Sequence, residues 1–238
     1  MSPHEPTDDD FWNTTAGLII QLFLVLLPSA ILMSAGKWLL LGLSGSVLIS
    51  LYFVRAQRTD CRELGLARPK NRLRVLIISV GVALFLMPVT LVMKHGLSRY
   101  FGARPNLDEF KAIEGNLPAL LAGLAVAWVF GAFLEEFLLR GYMLSRLLRL
   151  FGGFGFKTWE WPASLSVMSI LAGLGHTYQG IAGMVMTALI SFVFGCVYWM
   201  SGRNLWISIF AHGIYNTTAF IFLFLGINTE ALLAERLS

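Results

Sequence analysis

The sequence predicts an all-helical, polytopic membrane bundle of about seven transmembrane helices, and three observations carry that prediction. Of the 238 residues, 56% are hydrophobic and only 13% charged, with a mean hydropathy of +0.69, a balance typical of membrane-spanning chains and not of soluble domains. Uncharged or nearly uncharged stretches long enough to approach the ~30 Å hydrocarbon core recur along the chain. The charges between them are lopsided: seven of the eighteen Lys and Arg fall between Arg55 and Arg74, on the flanks of two such stretches.

Taken in order, the N-terminal tail Met1 to Asp10 is acidic and has no Lys or Arg. Gly17 to Gly36 therefore lacks the basic region of a cleavable signal and reads as a retained span. Trp38 to Val54 and Val75 to Met93 follow. Lys94 to Asn116 mixes charges with Tyr100, Phe101, Leu107, Phe110 and Ile113, the pattern of a segment lying at the interface; Pro118 then sits where a helix start tolerates proline. Leu117 to Leu134 is the fourth span. The Gly- and aromatic-rich segment Phe151 to Trp161 ends in an interfacial Trp159-Glu160-Trp161-Pro162 anchor before the shorter run Trp161 to Gly175. Gly180 to Met200 and Leu205 to Gly226 complete the set. The expected organisation is 1–116 as tail, three leading helices and interfacial segment, 117–226 as a core, and 227–238 as a C-terminal tail.

Placing the basic loop inside by the positive-inside rule puts the N-terminus in the cytoplasm and predicts an integral protein of the cell (inner) membrane. By alternation, inner loops carry eleven Lys and Arg, among them Arg146, Arg149, Lys157 and Arg203. Six lie outside: Lys37, Lys94, Arg99, Arg104, Lys111 and Arg236. Basic residues bordering spans serve retention and contact with anionic headgroups, so the bilayer and not nucleic acid is the expected partner of this charge. Two cysteines, Cys61 and Cys196, are too few for a disulfide framework or a Cys-based zinc site.

Charge also stands in the path of a span. Glu135 and Glu136 follow the eighteen uncharged residues Leu117 to Leu134, and Arg140 comes one turn later. Each such group costs about 2.5–3.5 kcal/mol at the centre of a spanning helix, so three within six residues must be paired, placed near an interface or used in chemistry. Helical spacing lets Glu136 pair with Arg140 and turns Glu135 about 100° away, free to act. Gly123, Ala127 and Gly131 recur every fourth position ahead of Glu135, and Gly183, Thr187, Ser191 and Gly195 do so on the sixth span, as where membrane helices approach closely. His176 follows the fifth span, and His212 and Asn216 share a face of the last.

A carboxylate with imidazoles can activate water in two ways, and residue types leave both open. Glu135 can take a proton from water held by His176 while His212 and Asn216 donate to an oxyanion. Alternatively, Glu135, His176 and His212 form a two-His, one-Glu set of the kind that holds zinc with a position open for water. Depth is a difficulty for either: ending the fourth span at Leu134 puts Glu135 near the inner surface, whereas His176 lies at the far end of a fifteen-residue run covering only ~22 Å.

Glu135-Glu136-Phe-Leu-Leu-Arg140-Gly141 matches the EExxxR motif, and Ala211-His212-Gly-Ile-Tyr-Asn216 the HxxxN motif, of the CAAX protease and bacteriocin-processing (CPBP, or Abi) intramembrane proteases. Phe194-Gly195, Tyr198, Gly202, Leu205-Trp206 and Ile209 resemble that family's lead-in to its last motif, so the resemblance covers roughly Leu117 to Phe220. It departs at the middle motif, FxxxH, where Ala172 stands four before His176. The resemblance implies a membrane endopeptidase acting on a membrane-associated protein or peptide. By the same carry-over, Glu135 and His176 activate water, His212 and Asn216 form the oxyanion site, and Glu136 and Arg140 support them. The competing readings are a non-catalytic immunity or scaffold protein of the same fold and a proton-coupled transporter. The transporter reading is disfavoured because no pairing of broken helices relates the two halves.

Overall fold

The computed structural model describes residues 11–32, 39–155 and 158–227. The acidic tail at 1–10, Lys37, Lys157, Arg236 and residues 228–238 of the C-terminal tail lie outside the described residues.

The described residues form seven helices and no strand. They are α1 (Thr15–Leu32), α2 (Leu39–Ala56), α3 (Arg72–Phe101), α4 (Leu117–Gly153), α5 (Glu160–Leu174), α6 (Gly180–Met200) and α7 (Leu205–Phe224). Six helical segments are long and apolar enough to cross a membrane; α5, with fifteen residues, is the shorter helix expected from Trp161 to Gly175. The chain is an integral multi-pass membrane protein. Its outward faces carry Leu48, Ile77, Leu84 and Phe85 at 62–66% exposure, as lipid contact permits and water does not.

Side-chain size and caps explain the elements. Asn71, Asn116 and Asn204 begin α3, α4 and α7, their side chains accepting from the amides of Arg74, Ala119 and Trp206. Gly42 and Gly45 let α2 close on α1 at Pro28, where Ser29 and Ser46 share a hydrogen bond of 2.7 Å. The basic loop after α2 folds under the bundle, burying Leu64, while the Gly65 carbonyl accepts from the Leu205 amide at 2.9 Å. On the opposite side the segment before α4 ties down two helix ends: the Asn106 amide donates to the Gln179 carbonyl and the Gly115 amide to the Phe224 carbonyl.

The fourth span is where sequence and structure differ. The helix does not stop at Leu134 but runs through the charged cluster to Gly153, a span of 37 residues with Glu135 at its nineteenth position. Glu135 is thus mid-helix and not at the inner end expected from a span ending at Leu134. Between Ala127 and Met143 the helix is wound as two π segments meeting at Glu136. In π turns, with i→i+5 bonding, positions four and five apart share a face, so Gly131 comes beneath both glutamates and their separation narrows from the α value.

Candidate active site

Glu136 is fully buried, and its Oε1 accepts two hydrogen bonds, from Arg140 Nη1 at 3.0 Å and from His212 Nδ1 at 2.9 Å. The pairing with Arg140 expected from the four-residue spacing is present. What spacing on one helix did not reveal is the bond across to α7. Arg140 is 2% exposed and continues the network to α6, where its Nη2 donates to the Ser191 carbonyl at 2.7 Å and to Ser191 Oγ at 2.8 Å. Phe194, one turn further along α6, stacks on the His212 ring at 5.2 Å and lies 5.7 Å beneath the Arg140 guanidinium. Three helices are thereby locked around one carboxylate. In the sequence Ser191 stands out only within a small-residue stripe and Phe194 only in a motif's lead-in; a serine inside an apolar span is the available signal.

Because Glu136 takes up His212 Nδ1, the other ring nitrogen faces elsewhere. A Cβ at Gly131 would lie 3.1 Å from Asn216 Nδ2 and 4.0 Å from His212 Nε2, so both atoms are directed at the bare backbone of Gly131, one turn from Glu135. Trp128 allows that approach. It packs on Gly213, where any Cβ would collide with the indole, and its Nε1 donates to Thr217 Oγ1 at 3.0 Å. Glycine at 131 and at 213 therefore sets how near α7 comes to α4.

His176 lies at the C-terminal end of α5, with its Nδ1 2.9 Å from the Ala172 carbonyl. A carbonyl only accepts, so Nδ1 carries a proton and Nε2 is the ring atom left to face the site. This backbone contact is available to any residue at position 172, so the Ala in place of the family's Phe does not remove it. The aromatic neighbour comes instead from Tyr178, whose ring lies 5.7 Å from the imidazole. Glu135 is half-buried beside this group and interacts electrostatically with Tyr178.

The structure therefore joins Glu136, Arg140 and His212 directly, aims His212 and Asn216 at one spot, and packs Tyr178 against His176 within electrostatic range of Glu135. It does not gather Glu135, His176 and His212 as ligands: among the described residues no three His, Cys, Asp or Glu side chains are grouped to hold a metal ion. Each imidazole spends Nδ1 on an oxygen acceptor, Glu136 for His212 and the Ala172 carbonyl for His176, which leaves Nε2 as its metal-capable atom, but the two rings are not grouped with Glu135.

A bundle of membrane helices with a buried Glu–Arg–His network, a second Glu and His on neighbouring elements and an amide on the same face defines a polytopic membrane protein with a polar site among its helices. Residues 117–218 match the family described as type II CAAX prenyl endopeptidase Rce1-like, a family of peptidases and consistent with the CPBP resemblance. The match begins at the first residue of α4 and ends on α7 just beyond Asn216, so it contains every residue of the site. No curated protein and no solved structure matches the chain.

Proposed function

We propose that the chain is an intramembrane endopeptidase that hydrolyses a peptide bond near the C-terminus of a membrane-associated, prenylated protein or peptide. Supporting this reading is the joint aim of His212 Nε2 and Asn216 Nδ2 at Gly131, one turn from a carboxylate not bound to Arg140. The match to a prenyl endopeptidase family favours the substrate class. A lipid-modified C-terminus can reach a site set between membrane helices by moving within the bilayer.

In this mechanism a water donates one hydrogen bond to Glu135 and one to the lone pair of His176 Nε2. Its oxygen bonds to the scissile carbonyl carbon as Glu135 takes the proton, and the carbonyl electrons move onto oxygen. Asn216 Nδ2 and protonated His212 Nε2 stabilise that oxyanion, with Glu136 supplying the counter-charge for an imidazolium. Collapse re-forms the carbonyl and breaks the C–N bond, and the proton on Glu135 passes to the departing amine.

The test is cleavage, in detergent, of a quenched-fluorescent peptide ending in a farnesylated Cys-a-a-X box. Glu135→Gln preserves volume and removes basicity. It should remain folded and lose about 10²–10⁴-fold in rate, the usual worth of a general base. Undiminished cleavage by this variant would overturn the assignment.

A further inference from the structure

Tyr178 is absent from the motifs that the sequence shares with its family, yet its ring lies against His176 and within electrostatic range of Glu135. It sits in the single 3-10 turn Thr177–Gln179 linking α5 to α6, so its backbone is held by helices on both sides. Its ring lies 5.7 Å from that of His176, tilted by 33°. Two carboxylates interact electrostatically with its hydroxyl, Glu135 from α4 and the exposed Glu109 from the interfacial segment.

The hydroxyl is also oriented. Gln179 Nε2 donates to Tyr178 Oη at 3.0 Å, so the phenol's own proton points elsewhere. Gln179 is itself 9% exposed and fixed twice: its carbonyl accepts from the Asn106 amide at 2.9 Å, and its side chain fills the space that a Cβ at Gly183 would need. Glycine at 183, read from the sequence as helix packing, thus seats the residue that aims the tyrosine.

We propose that Tyr178 is a third positioning group for the attacking water, its O–H donating to the water oxygen while Glu135 and His176 Nε2 accept the two water protons. The assignment rests on the Glu135–His176 reading and completes its hydrogen bonding. Water has two donors and two lone pairs; Glu135 and His176 take the donors, Tyr178 occupies one lone pair, and the other is left to attack the carbonyl carbon. No proton leaves the phenol in the step.

With the farnesylated peptide, Tyr178→Phe should lower kcat by roughly tenfold, the worth of one hydrogen bond, with KM within about twofold and an unchanged melting temperature. Gln179→Leu, which leaves the phenol in place but unaimed, should lower kcat in the same direction with less effect. Glu135→Gln is measured beside them. Undiminished cleavage by Glu135→Gln or an inactive wild type would overturn the mechanism on which the proposal stands. A silenced Glu135→Gln with Tyr178→Phe at wild-type kcat would overturn the role of Tyr178 alone. Should Tyr178→Phe fail to fold, Gln179→Leu decides: unchanged kcat in a protein melting like wild type overturns the proposal.

Discussion

Glu136 Oε1 receives N–H groups from two helices while wholly shielded from water, and that single atom separates the roles of the two adjacent glutamates. Replacing it by the neutral amide leaves Arg140 as an uncompensated cation that is 2% exposed, and removing one partner of a buried pair costs about 3–5 kcal/mol. Glu136→Gln should therefore melt well below wild type and also lose rate through His212, whereas Glu135→Gln loses rate alone. Thermal melts in detergent beside the cleavage assay distinguish these; wild-type melting of Glu136→Gln would show that its charge is not needed there. A Cβ at Gly131 would stand 3.1 Å from Asn216 Nδ2, so Gly131→Ala should melt near wild type and lose cleavage by displacing the proposed oxyanion donors, as melts beside the cleavage assay will show. Exhaustive chelation probes the imidazoles. Cleavage should persist, and loss restored by zinc would mean that Glu135, His176 and His212 swing together as ligands.

At the scale of elements, α4 owes its continuity through three charges to its neighbours. Arg140 supplies the counter-charge within the helix and ties it to α6 through both polar oxygens of Ser191. Arg140→Ala should harm yield and melting more than the double change Glu136→Gln with Arg140→Gln, because two neutral amides can hydrogen-bond where a lone buried carboxylate cannot stay charged. A double variant as unstable as Arg140→Ala would show that the pair's charge is not what holds α4 to α6. The π winding from Ala127 to Met143 belongs to this scale too. It was illegible in the sequence because no residue type demands a π turn.

For the whole molecule, the leading helices are joined to the core by a second polar cluster. Arg146 on α4 is fully buried and donates to Gln21 of α1 and to Gln57 and Thr59 after α2, while its guanidinium lies 4.7 Å over the Tyr142 ring. Gln21 Oε1 also accepts from Tyr142 at 2.9 Å and from Gln57 at 2.9 Å. Arg146→Ala strips α1 and α2 of this anchor and should lower stability by a few kcal/mol, on the order of 2–4, while leaving kcat of the folded fraction near wild type. Kinetics normalised to folded protein test this, and an intact fold with lost kcat would place Arg146 in the chemistry instead. Topology is settled by reporter fusions: one near Arg68 should report the cytoplasm, as seven basic residues there imply, and an external signal would invert every span.

Composition and spacing alone determined the membrane class, the near-correct number and order of helices, the Glu136–Arg140 pair and the common face of His212 and Asn216. Each of these depends on interactions within one segment or between a segment and lipid. The end of the fourth span was misread because hydropathy treats charge as a boundary, whereas burial against α6 and α7 lets the helix carry it onward. Similarly, i,i+4 spacing showed that Glu136 can reach Arg140 but not that His212, 76 residues away, takes a hydrogen bond to the same oxygen. The stacking of Phe194 on His212 and the reach of Tyr178 into the electrostatic range of Glu135 are decided only by helix packing. Which side chains meet across the bundle depends on how closely the backbones approach, and here that is set by glycines whose purpose a linear sequence does not disclose.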